Sequence, residues 1–68
     1  MKLQINGEER EFSVSPPTLA ALVEALGMKP DRVAVELNHD IVPRTLWAET
    51  MLKDSDRLEV VHFVGGGR

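Results

Sequence analysis

One stretch of this chain has the repeat of a helix, and it is too short to stand by itself. Leu19, Leu22, Val23 and Leu26 fall at i, i+3, i+4 and i+7, a single apolar stripe. Thr18 suits the N-cap and Gly27 the position where a helix closes, while Pro30 forbids continuation. Ala21 stands where a glutamate would complete a capping box, so Thr18 holds the start alone. The result is at most about two and a half turns, below the length at which an isolated helix persists in water. Its stripe therefore has to be covered by a sheet, and Ala20, Ala21 and Ala25 both favour the helix and permit close approach.

The segments on either side supply that sheet. Lys2-Leu3-Gln4-Ile5 alternates polar and apolar, as a strand with one buried face does. Asn6-Gly7 follows, two residues that both tolerate positive φ, and predicts a tight hairpin. The return strand runs from Glu8 to Val14, with Arg10, Phe12 and Val14 on one face and Glu9, Glu11 and Ser13 on the other. Ser15-Pro16-Pro17 ends it, because proline cannot donate to a ladder. After the helix, Met28 is placed to fold back on the last turn.

Val33 to Leu37 is the third strand, with Val33, Val35 and Leu37 on one face. Asn38-His39-Asp40 is a turn, and Ile41-Val42 a short fourth strand that Pro43 halts. Arg44 to Thr50 is irregular or a single helical turn, with Leu46 and Trp47 closing one end of the core. Met51 and Leu52 pack against the sheet, and Asp54-Ser55-Asp56 forms a polar, solvated turn. Arg57 to Val64 is the last strand, apolar on both faces: Leu58 and Val60 with His62 on one, Val61 and Phe63 on the other. Such a strand is central in a sheet, or central with its outer face used by a partner. The order ββαβββ predicts an α+β domain over residues 1–64, one helix packed on a mixed sheet of four or five strands.

Gly65-Gly66-Gly67 follows that strand at once, before Arg68. Three glycines in a row bury no side chain and lose the most freedom on ordering, so they do not serve packing. Residues 65–68 read as a flexible tail suited to insertion elsewhere, since no Cβ obstructs a narrow slot and the carbonyl carbon stays open to attack. The five residues from Val64 to Arg68 reach at most about 17 Å when extended.

Composition removes most other chemistries. A chain of 68 residues makes one domain, and at that length only about 60% of the unfolded surface is buried. The lack of cysteine excludes a disulfide scaffold, a thiolate metal site and a cysteine nucleophile. No run approaches a membrane span and no signal sequence precedes the first strand, so the expectation is a soluble cytoplasmic protein. A net charge of −3 with Arg10, Arg44 and Arg57 dispersed argues against nucleic acid and for a partner with a basic surface.

His39 beside Asp40 reads as an exposed turn residue, and His62 as packing or interface. Two histidines without H-x-x-x-H spacing do not make a zinc site. Asp54 and Asp56 supply too few oxygens for calcium, and no nucleophile–base pair is in sight. Trp47 reads as a core residue. The glycine run is no phosphate loop, because such loops lie between a strand and a helix with a lysine and a hydroxyl following. Neither an enzyme nor a bound cofactor or metal is expected.

What remains is a main-chain carboxylate. Its negative charge resists nucleophiles, so chemistry on it needs activation by phosphoryl or adenylyl transfer from a separate ATP-using enzyme. The acyl-adenylate is then open to a sulfur donor, a thiol or an amine.

Leu3-x-Ile5-Asn6-Gly7, the helix from Thr18 to Leu26, Ile41-Val42-Pro43-Arg44 with Trp47 following, Asp54-x-Asp56, and Val60 to Gly67 together resemble one family over essentially the whole chain. It is the ThiS family, the ubiquitin-like sulfur carriers of thiamine biosynthesis. Val42-Pro43-Arg44 and His62 to Gly67 are the most specific parts. A diglycine end alone is shared with the small subunit of molybdopterin synthase and with ubiquitin-like modifiers. The resemblance implies a β-grasp fold. It implies that a ThiF-like adenylyltransferase adenylates the C-terminal glycine with ATP, and that a sulfur donor protein converts it to a thiocarboxylate. A ThiG-like thiazole synthase would then receive the sulfur and build the thiazole moiety of thiamine. By match of position Gly67 would carry the sulfur, Gly65 and Gly66 would form the approach, and Val61, Phe63 and Arg44 would touch partners.

Arg68 departs from the family pattern, in which the chain finishes on the glycine. A glycine carbonyl inside a peptide bond is not adenylated, and the guanidinium is bulky and always charged. Three accounts stand: trimming of Arg68, a residue appended in expression, or a chain no longer used for sulfur transfer. Two other functions share these residues. One is a molybdenum-cofactor sulfur carrier with the same tail chemistry; the other is a β-grasp interaction module with an inert tail.

Overall fold

The structure, a computed structural model, describes residues 1–63. One helix lies across a mixed five-stranded sheet of order β2-β1-β5-β3-β4. The strands are β1 (Lys2–Ile5), β2 (Glu8–Glu11), β3 (Val33–Leu37), β4 (Asp40–Ile41) and β5 (Arg57–His62), and the helix α1 is Leu19–Ala25. β1 and β5 run parallel, while β1 pairs with β2, and β3 with both β4 and β5, antiparallel. The last strand is central, as its two apolar faces predict.

α1 is built as its sequence dictates. The Thr18 hydroxyl accepts from the Ala21 N–H at 3.2 Å, and Leu19, Leu22 and Val23 are fully buried, with Leu26 half-buried behind them. Gly27 takes φ +76°. The Gly27 N–H then donates to Glu24 O at 2.9 Å and the Met28 N–H to Val23 O at 3.3 Å, the two bonds of a Schellman closure. Met28 folds back half-buried against the core. Under the helix, Leu3 and Ile5 of β1, Val33 and Val35 of β3, and Leu58 and Val60 of β5 complete the core, with Trp47 and Leu52 closing it.

Both connecting turns use left-handed residues. Asn6 (φ +52°) and Gly7 (φ +82°) join β1 to β2, and Asn38 (φ +51°) and His39 (φ +75°) join β3 to β4, the pattern of type I′ hairpins.

Several expectations need correction. β2 stops at Glu11 rather than Val14; Phe12 still pairs with Met1, its N–H donating to Met1 O at 2.9 Å and its O accepting from the Met1 amine at 3.0 Å, while its ring packs half-buried on the core, under the Arg10 guanidinium at 5.1 Å. β4 is Asp40–Ile41, one residue earlier than Ile41-Val42, and Val42 turns inward to the core. Leu46 is 46% exposed instead of closing the core. Arg44–Glu49 is a 3-10 helix, in which three residues make a turn, so with Trp47 turned inward its neighbour Leu46 points away. The Trp47 indole N–H donates to Val42 O at 2.8 Å, which fixes that choice. Met51 is 60% exposed because the adjacent Leu52 takes the inward position at 5%.

Asp56 is not a solvated turn residue but 3% exposed. Its carboxylate accepts from the Lys53 N–H at 2.9 Å and from Asn38 Nδ2 at 3.1 Å, partners that permit burial of a charge.

Candidate functional site

β5 leads directly toward the glycine run, and the residues around it decide how firmly it is held. β1 covers it only through Gln4 beside Arg57 and Ile5 beside Leu58 before the chain turns away at Asn6. The Asn6 side chain then takes the place of the missing strand. Its Oδ1 accepts from the Val60 N–H at 2.8 Å and its Nδ2 donates to Val60 O at 3.2 Å, while its own N–H donates to Leu58 O at 2.9 Å.

Asn38 does the same near the start of β5 on the opposite side. It accepts from the Arg57 N–H at 3.0 Å through Oδ1, and its N–H donates to Arg57 O at 2.7 Å. Beyond β5, the Phe63 N–H donates to Arg32 O at 2.7 Å, extending the β3 side of the ladder by one step. Carboxamides suit this work because they carry the donor and acceptor of a peptide group in one plane.

The side of the sheet away from α1 is the candidate contact face. On β5 it carries Arg57, Glu59 and Val61, and alternation puts Phe63 on the same side. Val61 is 58% and Phe63 54% exposed, so two of the three predicted contact residues share one surface. Arg44 is exposed too, but it stands on a separate element, as the first residue of the 3-10 helix. Gly65, Gly66 and Gly67, with Val64, Arg68 and the domain boundary after residue 64, lie outside the described residues.

The face also holds residues that sequence reasoning missed. Ile41 lies beside Glu36, Glu36 beside Glu59, and Ala34 beside Val61. Ile41 is 73% exposed, so an apolar band with Val61 and Phe63 flanks an acidic cross-strand pair. Only the register shows this; a two-residue strand has too little alternation to assign Ile41 to a face.

The described residues hold no group of three or more His, Cys, Asp or Glu able to bind a metal. None of their helices is long and apolar enough to cross a membrane. His39 and His62 are both exposed, on different elements. This arrangement can hold and present a strand end and offer a flat face to a protein.

Comparison with known proteins places the geometry in a family. The model of the ThiS family matches residues 3–67. The sulfur carrier protein ThiS of Bacillus subtilis is 35% identical over 65 residues, covering 96% of this chain and 98% of that protein. A thiazole synthase of Paramagnetospirillum magneticum is 52% identical over 67 residues, and one of Magnetococcus marinus 41% over 68. The chain spans only 20% and 21% of the length of these two synthases. In three dimensions it is similar to the crystal structure of the thiamine biosynthesis protein ThiS from Geobacter metallireducens. The TM-score is 0.81 at 31% identity, with 98% of this chain and all of that one covered. The helix on a mixed five-stranded sheet is thus the β-grasp architecture implied by the sequence, and the chain belongs to the ThiS family.

Proposed function

We propose that this chain is a sulfur carrier for assembly of the thiazole moiety of thiamine, with the main-chain carboxylate of Gly67 as the group that bears the sulfur. What supports this reading is the family model's match over residues 3–67, beside a relative named as a sulfur carrier protein that is matched over 98% of its length. The thiazole synthases in which a fifth of the length resembles this chain support the same destination for the sulfur. The chain acts as substrate and carrier, and the chemistry is supplied by others.

A ThiF-like adenylyltransferase transfers AMP from ATP to the Gly67 carboxylate, releasing pyrophosphate. Sulfur released at the sulfide level by a donor protein then attacks the acyl carbon, AMP leaves, and a thiocarboxylate remains for a ThiG-like thiazole synthase. Glycine suits this position because no side chain hinders the carbonyl. The outer face with Val61 and Phe63 docks the partners, and Arg44 contributes from its own element. The first step requires Gly67 to be terminal, so Arg68 has to be absent when the carrier is loaded.

Mass spectrometry tests this. The chain ending at Gly67, incubated with the adenylating enzyme, ATP and a sulfur donor, gains the mass difference between sulfur and oxygen. The chain ending at Arg68 is unchanged. Equal loading of both forms would refute Gly67 as the acceptor.

A further inference from the structure

The outer face of β3, β4 and β5 combines an acidic cross-strand pair with exposed apolar side chains. Glu36 and Glu59 sit directly opposite each other on adjacent antiparallel strands, where like charges repel. Neither takes part in an ion pair among the described residues. Arg57, on the same face, donates its Nε to Gln4 Oε1 at 2.8 Å and forms no ion pair with either carboxylate. The two carboxylates, with Gln4, His39 and Arg57, line a shallow pocket of about 70 Å³. Beside it stand Ile41 and Val61, 73% and 58% exposed.

We infer that this face docks a partner protein through an arginine side chain that lies between Glu36 and Glu59, flanked by apolar residues packing on Ile41 and Val61. The inference deepens the carrier reading by naming the chemistry of the surface it meets. A guanidinium presents five donors in a plane and bridges two neighbouring carboxylates, whereas an ammonium is a compact point charge. A metal ion does not fit, since no third ligand completes the pair among the described residues. A second copy of this chain does not fit either: a two-fold contact through this face would set the acidic pair against its own image. The apolar shoulders call for a protein surface rather than a free cation.

The test uses the full chain, labelled for amide NMR, and two probes, N-acetyl-leucyl-arginine methylamide and its uncharged citrulline counterpart. The arginine probe is expected to shift the amides of Glu36, Ile41, Glu59 and Val61 saturably, binding about tenfold more tightly than the citrulline probe. The Glu36→Gln/Glu59→Gln variant loses that preference. It folds, because the substitution removes a repulsion, and its urea midpoint is not lowered. Equal shifts with both probes, no saturable shift, or an unchanged preference in the variant would overturn the inference.

A second readout is the adenylation of the chain ending at Gly67, for which the double variant raises KM about tenfold with kcat unchanged. An unchanged KM there also overturns the inference while leaving the carrier reading intact. Failure of the parent chain to be adenylated, with the probe still selective, refutes the carrier reading and leaves the surface standing.

Discussion

Replacing Asn6 isolates the strand substitute that holds β5. Asn6→Gly keeps the φ of +52° accessible and removes only the side-chain amide with its bonds of 2.8 and 3.2 Å to Val60. Each bond contributes about 1 kcal/mol net, and the exposed edge lets water recover part of that, so the loss is about 1–2 kcal/mol. The greater freedom of glycine in the unfolded chain adds up to about 1 kcal/mol, giving roughly 2 kcal/mol in all. Asn6→Asp retains the acceptor for the Val60 N–H but turns a second oxygen toward Val60 O, and costs about 1–1.5 kcal/mol. Asn6→Ala loses both bonds and adds the left-handed penalty of about 1–2 kcal/mol, for a total near 3 kcal/mol. A chain of this size has roughly 3–10 kcal/mol of stability, so the alanine variant loses between about a third and nearly all of it. Urea denaturation followed by the fluorescence of Trp47, the sole tryptophan and 3% exposed, reads the series. With a slope of about 1 kcal/mol per M, the glycine variant shifts the midpoint down by about 2 M. Midpoints of the glycine and aspartate variants equal to the parent would refute the view that the Asn6 amide replaces a strand.

His39→Gly relieves a non-glycine residue at φ +75° and is expected to raise stability by about 0.5–1 kcal/mol, seen as a higher melting temperature. Asp56→Ala strands the Lys53 N–H and Asn38 Nδ2 that its carboxylate now accepts from; a loss of about 2–3 kcal/mol in urea denaturation is expected, whereas Asp56→Asn keeps part of it. Met51→Gln, at a position 60% exposed, changes the same midpoint by less than about 0.5 kcal/mol; a larger loss would show Met51 to be part of the core.

The helix, the first hairpin, the third strand and the central place of the last strand were legible because each rests on local periodicity or turn chemistry. Thr18, Gly27 and Asn6-Gly7 act where their intrinsic preferences put them. The segment from Pro43 to Asp56 was less so. Leu46 and Met51 look as apolar as Trp47 and Leu52, and only the 3-10 geometry and one indole bond decide which pair goes inside. Asp56 reads as a turn residue, since its burial depends on Asn38, eighteen residues away. At the site, Val61 and Phe63 follow from alternation within β5. Ile41 and the Glu36–Glu59 pair are products of register between strands, which no single segment encodes.

The central position of β5 has a mechanical consequence. A pull on the chain beyond Phe63 loads β5 along its own axis. The bonds to β1, to Asn6 and to β3 then carry that force together, in shear. A strand at the sheet margin, peeled away, would surrender its bonds one by one. The grip on this end is therefore set by the whole width of the sheet, and a pull there is borne without unravelling the body behind it.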